Sequence, residues 1–509
     1  MTIFSSFARS CFVLRFASSV PALSATLFAV IAFGLPAFGT SPELSAAEPA
    51  NKSVRRAVVP KDPVAREKYL AQVMLEAKIT NGKELFHREW MPHEGKQKPG
   101  DGLGPLYNER SCARCHKLGS TGGAGPAENN VQLLVVQKLK AGDKWETTHL
   151  AQRAFLLPTA TSDTFLLHRY GTSPDYEQWR RERLSLTKPN GEPEPAVSDE
   201  ARVGGLMALG LDLPRVARSR SIGGGSFVAV EGTEPEKPSL VTLTLEERNT
   251  TALFGAGLID KVQEETLAAV AAEQATTVRG RIPRTAGRKL GRFGWKGQNE
   301  SLLEFNAGAC AAELGLDTAA VRQAKLPTAE QSSKPYAGLF NISKGIDIEK
   351  DQIAELSEYV ASLPAPKRPE NVPKIRDVRE GEEHFVSVGC AQCHRKDVGE
   401  ISEIYSDLLL HQVGLRSFGG SYYGPPLDLV ESVDPKRTAD PEEFRTPPLW
   451  GVADSAPYLH DGRAKTLEEA ILAHAGQATF TTAKYSQLHA NHKRQLLAFL
   501  GSLKAPKLH

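Results

Sequence analysis

In this chain of 509 residues, 62 basic and 60 acidic side chains nearly cancel, leaving a formal charge of +2. That balance points to neither nucleic acid nor an acidic membrane surface as a partner, since both call for a concentrated basic field. The length predicts two or three domains, with enough residues to bury a sizeable core.

Residues 1–47 read as a secretory signal peptide. Arg9 and Arg15 precede an uncharged stretch from Phe16 to Pro42, and Ser45-Ala46-Ala47 supplies small residues for cleavage before Glu48. The alternative is an uncleaved anchor, because the uncharged stretch is long enough to span a bilayer, although Pro21, Gly34 and Pro36 interrupt it. A periplasmic or otherwise exported protein is expected, with membrane contact only if this segment is retained. Cys11 would leave with the signal.

The mature chain then repeats itself. Gly82-Lys83-Glu84-Leu85-Phe86 leads to Cys112-Ala113-Arg114-Cys115-His116, and Gly381-Glu382-Glu383-His384-Phe385 leads to Cys390-Ala391-Gln392-Cys393-His394. Two thiols three positions apart on one turn can each form a thioether with a porphyrin vinyl group, and the adjacent imidazole then serves as proximal iron ligand. Two covalently bound haem c groups are therefore expected, on Cys112, Cys115 and His116, and on Cys390, Cys393 and His394. A zinc knuckle would need a second ligand pair in the same small module. A redox dithiol gives no reason for histidine at the fifth position twice.

Each half also ends alike. Ile353–Leu363 and Leu496–Leu503 both place apolar residues at helical spacing, and each is followed by proline. The expected fold is mainly α, with two tandem cytochrome-c-like domains at 48–363 and 376–509 joined by a proline-rich linker at 364–375. The first carries a long insertion, about 184–292, containing some β structure. Within it Lys188–Pro195 reads as a polar loop, Ser239–Leu245 as a strand and Gln263–Gln274 as a helix.

Gly102–Ser111, Gly291–Lys296, Phe444–Trp450 and Ala456–Ala464 together make the chain resemble the di-haem oxidoreductase family, distant relatives of bacterial di-haem cytochrome c peroxidases. The resemblance implies one haem that transfers electrons and one that reacts with hydrogen peroxide, the sixth ligand of each iron deciding its role. His474 falls where the peroxidases usually have methionine, and no methionine follows Met207, so haem 2 is expected to be ligated by His394 and His474 at a lowered potential. His460 is the rival ligand. For haem 1 the sixth ligand is His168, His149 or none. The stretch Phe293–Leu316 implies Trp295 as inter-haem electron relay and Glu313 as acid-base group; a core aromatic and a helix-surface charge are the plain alternatives. The family's glutamine position falls near Phe305 and Asn306, a departure.

Cys310 reads as a buried thiol, and the basic run from Arg279 to Arg292 as a solvated loop from which one or two side chains could reach haem propionates. Calcium is left open: Ser455 and Pro457 match oxygen ligands of the peroxidases but are too few to make a site. The expected function is an exported di-haem c-type oxidoreductase of the peroxidase type, taking electrons from a small cytochrome c or cupredoxin. The alternatives are a non-catalytic electron-transfer cytochrome and a haem enzyme that oxidises an organic or protein substrate.

Overall fold

Two helix pairs, each crossing at a glycine, organise the protein. The computed structural model describes residues 59–92, 100–138, 164–172, 176–185, 187–189, 227–230, 239–323, 345–415, 439–440 and 442–508. The expected signal at 1–47, Cys11, His149 and most of the polar loop after Lys188 lie outside the described residues.

Helix α1 (Pro63–His87) starts where the Asp62 carboxylate accepts a hydrogen bond from the Ala65 amide, with proline at the first helical position. It crosses α4 (Lys350–Ser362), which a capping box from Glu349 and Gln352 initiates. A Cβ on Gly82 would lie 2.0 Å from the Glu355 carbonyl oxygen, so only glycine permits this approach. Four residues on, Phe86 meets Tyr359 edge-on with centroids 5.3 Å apart. The second half repeats the arrangement: a Cβ on Gly381 of α5 (Arg376–Val388) would lie 2.0 Å from the Gln495 carbonyl of α7 (Ala490–Leu500). Phe385 there meets Phe499 edge-on at 5.2 Å. The repeat in sequence is thus a repeat in packing, and both expected terminal helices form.

The first half also contains a five-stranded sheet. Its centre is β1 (Val131–Lys138), antiparallel to β2 (Thr164–Leu167) on one side and β5 (Ser239–Arg248) on the other. β5 also pairs with β4 (Phe227–Val230) antiparallel and with β3 (Lys188–Pro189) parallel. The expected strand at Ser239–Leu245 is present and longer. β1, however, precedes position 184, so the sheet is built from both sides of the expected insertion boundary. The architecture is therefore mixed, helical with a sheet of its own, rather than helical with β structure confined to the insertion. The sequence concealed β1 because Leu133, Leu134 and Val135 are all buried; a continuous apolar run carries no alternation to separate strand from helix. Helix α2 (Glu264–Glu273) matches the alanine-rich segment expected to be helical.

Helix α3 (Leu302–Glu313) is capped by Ser301, whose hydroxyl accepts from the Glu304 amide, and packs its buried face into the first core with Leu85, Phe86, Ile353 and Leu356. A second core joins Phe385, Tyr405, Tyr485, Leu496 and Phe499. The short strands β6 (Leu410–Gln412) and β7 (Glu443–Arg445) pair, and the Arg281 amide donates to the Leu410 carbonyl, tying the chain before Trp295 to the second half. Residues 60–509 form one compact unit. Among the described residues no helix is long and apolar enough to cross a membrane.

Candidate functional site

Each Cys-x-x-Cys-His motif opens onto a large cleft. Cavity 1 encloses about 1250 Å³, part of it open to solvent, and is lined by Cys112, Cys115, His116, Trp295, Glu313 and Cys310 among others. Cavity 2 encloses about 1340 Å³ and is lined by Cys390, Cys393, His394, His474, His460 and again Trp295.

The histidines are each held through Nδ1 by a backbone carbonyl. Cys112–Cys115 form one helical turn, and the chain then doubles back through Gly119 (φ +80°) and Gly122 (φ +83°), which delivers the Gly123 carbonyl to His116 Nδ1 at 3.2 Å. His394 Nδ1 lies 3.0 Å from the Tyr405 carbonyl, and His474 Nδ1 2.6 Å from the Ala470 carbonyl. In each case a carbonyl can only accept, so Nδ1 carries the hydrogen and Nε2 keeps its lone pair for a metal. Burial pushes His116 and His394 down to about 4, and lowers His474 as well, which keeps all three neutral. His474 stands just past the end of α6 (Leu467–Leu472), which a Thr466–Glu469 capping box starts, rather than within the helix.

Cys112 and Cys390 lack the lowered thiol of a redox pair. Burial pushes the Cys112 and Cys390 thiols up to about 12, opposite to the lowered values of redox-active dithiols. Among the described residues a zinc reading finds one candidate cluster, Cys393, Asp407 and His411, with His411 Nε2 2.7 Å from Asp407 and Nδ1 3.6 Å from Cys393 Sγ. It uses one of two motif cysteines and leaves His394 without a role. Haem uses every motif residue in both halves.

Arg445 supplies an independent test of fit. It is buried on β7 and lines cavity 2, and its Nη1 makes no hydrogen bond. A buried guanidinium calls for an anion; the Asp407 carboxylate already acts on it, and a haem propionate would be a further one. Arg445 was not singled out from sequence; the signal available was its place in the Phe444–Trp450 segment that carries the family resemblance.

Trp295 and Glu313 come together in cavity 1. The Trp295 Nε1 donates to the Asn249 carbonyl at 3.0 Å, and the Arg445 amide donates to the Trp295 carbonyl at 2.8 Å. Glu313 ends α3, where the Asn108 side-chain amide donates to its Oε2 at 2.6 Å. Asn108 is held in turn by the Arg169 amide, which donates to Oδ1 at 2.8 Å. Asn108 lay within the Gly102–Ser111 segment without being recognised as a partner of Glu313, since the two are far apart in the chain. Phe305 and Asn306 also line cavity 1, the Asn306 amide donating to Ser357.

His168 is buried, but it lies outside the lining of cavity 1, with Nε2 2.9 Å from the Ala312 carbonyl. Among the described residues His116 is the one histidine lining that cavity. His460 lines cavity 2 and stacks on Phe444. Cys310 is buried, its thiol raised by burial. The basic run is not a freely solvated loop: Arg281 pairs with Glu443, Arg284 with Glu264 and Lys289 with Glu300, while Arg292 donates to the Val262 and Glu300 carbonyls. Ser455 Oγ donates to the Gly451 carbonyl and the Pro457 carbonyl accepts from Asn249, so both oxygens considered for calcium have protein partners.

A family described as "di-haem oxidoreductase, putative peroxidase" matches residues 241–503, more than half of the chain. The methylamine utilization protein MauG of Methylorubrum extorquens is 31% identical over 123 residues, which cover 23% of this chain and 31% of that protein. The match thus spans under a third of this relative's length. Among solved structures, a MauG-like protein associated with microbial copper homeostasis is 20% identical with a TM-score of 0.27, covering 45% of this chain and 76% of its own. The hydrazine synthase of Kuenenia stuttgartiensis is 19% identical with a TM-score of 0.23, covering 57% and 99%. With the family match spanning the second motif, Trp295, Glu313 and His474, the chain belongs to the di-haem oxidoreductase family.

Proposed function

We infer that the chain carries haem c on Cys112 and Cys115 in cavity 1 and on Cys390 and Cys393 in cavity 2, and works outside the cytoplasm as an oxidoreductase of the peroxidase type. The observation that carries this reading is Trp295, which lines both cavities, one of them shared with Glu313. When bound, the two haems supply one-electron chemistry and, where a sixth position is open, a site for reducing an O–O bond.

The chain's own residues divide the labour. His394 and His474 offer two nitrogens to cavity 2, suiting it to electron transfer. His116 offers one to cavity 1, leaving the opposite face for substrate. Glu313 can take a proton from the inner oxygen of hydrogen peroxide and return it to the outer one, so that the leaving group departs as water. Overall one peroxide takes up two electrons and two protons and gives two waters. Asn108 holds the carboxylate at that task, and Trp295 is the aromatic side chain common to both sites. Arg445 would pair with a propionate in cavity 2. Electrons would come from a small cytochrome c or cupredoxin.

The test is the absorption and electron paramagnetic resonance spectrum of the haem-loaded protein, oxidised and half-reduced, before and after one equivalent of hydrogen peroxide. One high-spin haem that responds to peroxide, with turnover, is expected. Two low-spin haems silent to peroxide in both states would make the protein an electron carrier instead.

A further inference from the structure

His168 is a buried imidazole just past the end of β2 that lines neither cavity. Its Nε2 lies 2.9 Å from the Ala312 carbonyl, and a carbonyl only accepts, so Nε2 carries the hydrogen. Nδ1 is buried without a hydrogen-bond partner. Burial lowers the imidazole to about 4, which keeps it neutral. A phenylalanine would fill the place without the cost of burying an unpaired nitrogen, so the N–H towards Ala312 is what the histidine adds.

That hydrogen bond falls at the end of α3, where the last carbonyls of a helix have no partner within it. Ala312 is answered by His168, and the Glu313 carbonyl by the amides of Asn108 at 2.7 Å and Glu109 at 3.4 Å. The residue after His168 works on the same glutamate from its other end: the Arg169 amide donates to Asn108 Oδ1, and the Asn108 side-chain amide donates to the Glu313 carboxylate. A two-residue antiparallel pairing, Leu106 with Gly171 and Tyr107 with Tyr170, fixes the two segments side by side. The strand end is itself anchored, since the His168 carbonyl accepts from the Tyr176 hydroxyl at 2.7 Å and from Arg180 Nε at 2.9 Å. A carboxylate at a helix C-terminus is opposed by the dipole, and an N–H placed on the terminal carbonyls offsets that opposition.

We propose that His168 is a positioning residue for Glu313. Its Nε2 hydrogen closes the end of α3 at Ala312 while the adjoining amide of Arg169 holds Asn108, so that the backbone and the carboxylate of Glu313 are fixed together at the wall of cavity 1. The role rests on the reading of Glu313 as the acid-base group. It replaces the expectation of His168 as an iron ligand with a part in the same chemistry, exerted through the glutamate.

The test uses full-length, haem-loaded protein with His168→Phe, which fills the place of the ring but donates nothing, and His168→Gln, whose side-chain amide restores the donor. Peroxide turnover and its pH profile are followed, together with the carboxyl bands of Glu313, isolated as the infrared difference between each protein and its Glu313→Gln counterpart. His168→Phe should lower kcat by about tenfold to a hundredfold and shift the carboxyl bands. It should also move the acid limb of the profile to higher pH, because an unpaired carbonyl dipole beside the carboxylate favours its protonated form. The other charged groups about the site, Glu109, Arg169, Arg248 and Lys296, are the same in every protein compared. His168→Gln should return all three readings towards the parent, and on a Glu313→Gln background His168→Phe should cost nothing further. His168→Asn, one carbon short of Ala312, takes the place of the phenylalanine variant if that does not fold. Carboxyl bands unmoved in His168→Phe, or a loss that glutamine does not repair and that persists without Glu313, overturn the proposal and leave His168 a packing role. Parent turnover in Glu313→Gln alone would instead overturn the acid-base reading, with the infrared bands still deciding whether His168 holds the carboxylate.

Discussion

The Trp295 indole meets the His460 imidazole edge-on, with centroids 6.4 Å apart and planes at 75°. His460 in turn stacks on Phe444 at 4.3 Å, and its carbonyl accepts from the amide of Asn249, the residue whose own carbonyl receives the indole N–H. The indole is therefore clamped between the two cavities by residues of both halves. Trp295→Leu should slow electron equilibration between the sites by about tenfold or more, about 1.4 kcal/mol on the barrier, while Trp295→Phe retains a ring and loses less. Stopped-flow absorbance after partial reduction measures it. Equal rates in the leucine variant would remove Trp295 as the relay.

Glu313→Gln keeps the shape of the side chain and its contact with Asn108 but removes the base. Peroxide turnover should fall by roughly 10²–10⁴-fold, with haem spectra retained. Asn108→Ala should lower turnover less and displace its pH profile, since it frees the carboxylate without removing it. Wild-type turnover in Glu313→Gln would exclude the acid-base role.

His474→Met should raise the potential of one haem, because thioether ligation favours the reduced iron over imidazole. His474→Ala should turn the same haem high-spin. A redox titration with paired spectra reads both. If neither variant alters either haem, the ligand lies elsewhere, and His460 is the next to substitute.

Acid stability should depend on Arg368. Burial opposes ionisation of Glu382, but hydrogen bonds from Arg368, Lys396 and Tyr405 outweigh it and hold the carboxyl at about 2 instead of 4.5. A carboxyl lowered on folding contributes stability above its unfolded value and loses it as the pH falls towards the folded one. Arg368 is buried and also pairs with Glu403. Arg368→Met should cost about 3–5 kcal/mol near neutrality, the usual penalty for stripping a buried pair of one partner. That penalty should shrink as the pH drops from 4.5 towards 2. Denaturant midpoints across this range give the difference, and a penalty independent of pH would assign Arg368 a packing role only.

The two crossings should fail alike when a methyl group is added. With a Cβ placed 2.0 Å from a facing carbonyl oxygen, Gly82→Ala and Gly381→Ala must each push a helix pair apart, costing about 1–3 kcal/mol or more. Thermal unfolding of the two variants measures this, and a stability change in only one would mean that the other crossing yields without cost.

How much of this was legible beforehand follows the distance over which each feature is encoded. The haem motifs and the helices beside them are contiguous, so spacing alone exposed Cys112, Cys115, His116 and their counterparts. Trp295, Glu313 and His474 came from resemblance; nothing in their neighbourhoods marks them, since each acquires its setting from residues far away in the chain. Asn108 and Arg445 went unrecognised for that reason, one finding its carboxylate across the fold and the other facing a cavity built by several segments. The basic run was misjudged because charge in sequence does not disclose its partners: Glu264, Glu300 and Glu443 come from three different places.

The wall between the cavities bears on how the halves could ever be separated. Cavity 2 needs Trp295 from the first half, and the loop holding Trp295 needs Arg445 and His460 from the second. Cutting the chain at the proline-rich segment would leave cavity 2 without Trp295 and the Trp295 loop of cavity 1 without its contacts to Arg445 and His460. The duplication is legible as two modules, yet the protein is indivisible, and any change at the shared tryptophan is felt by both sites at once.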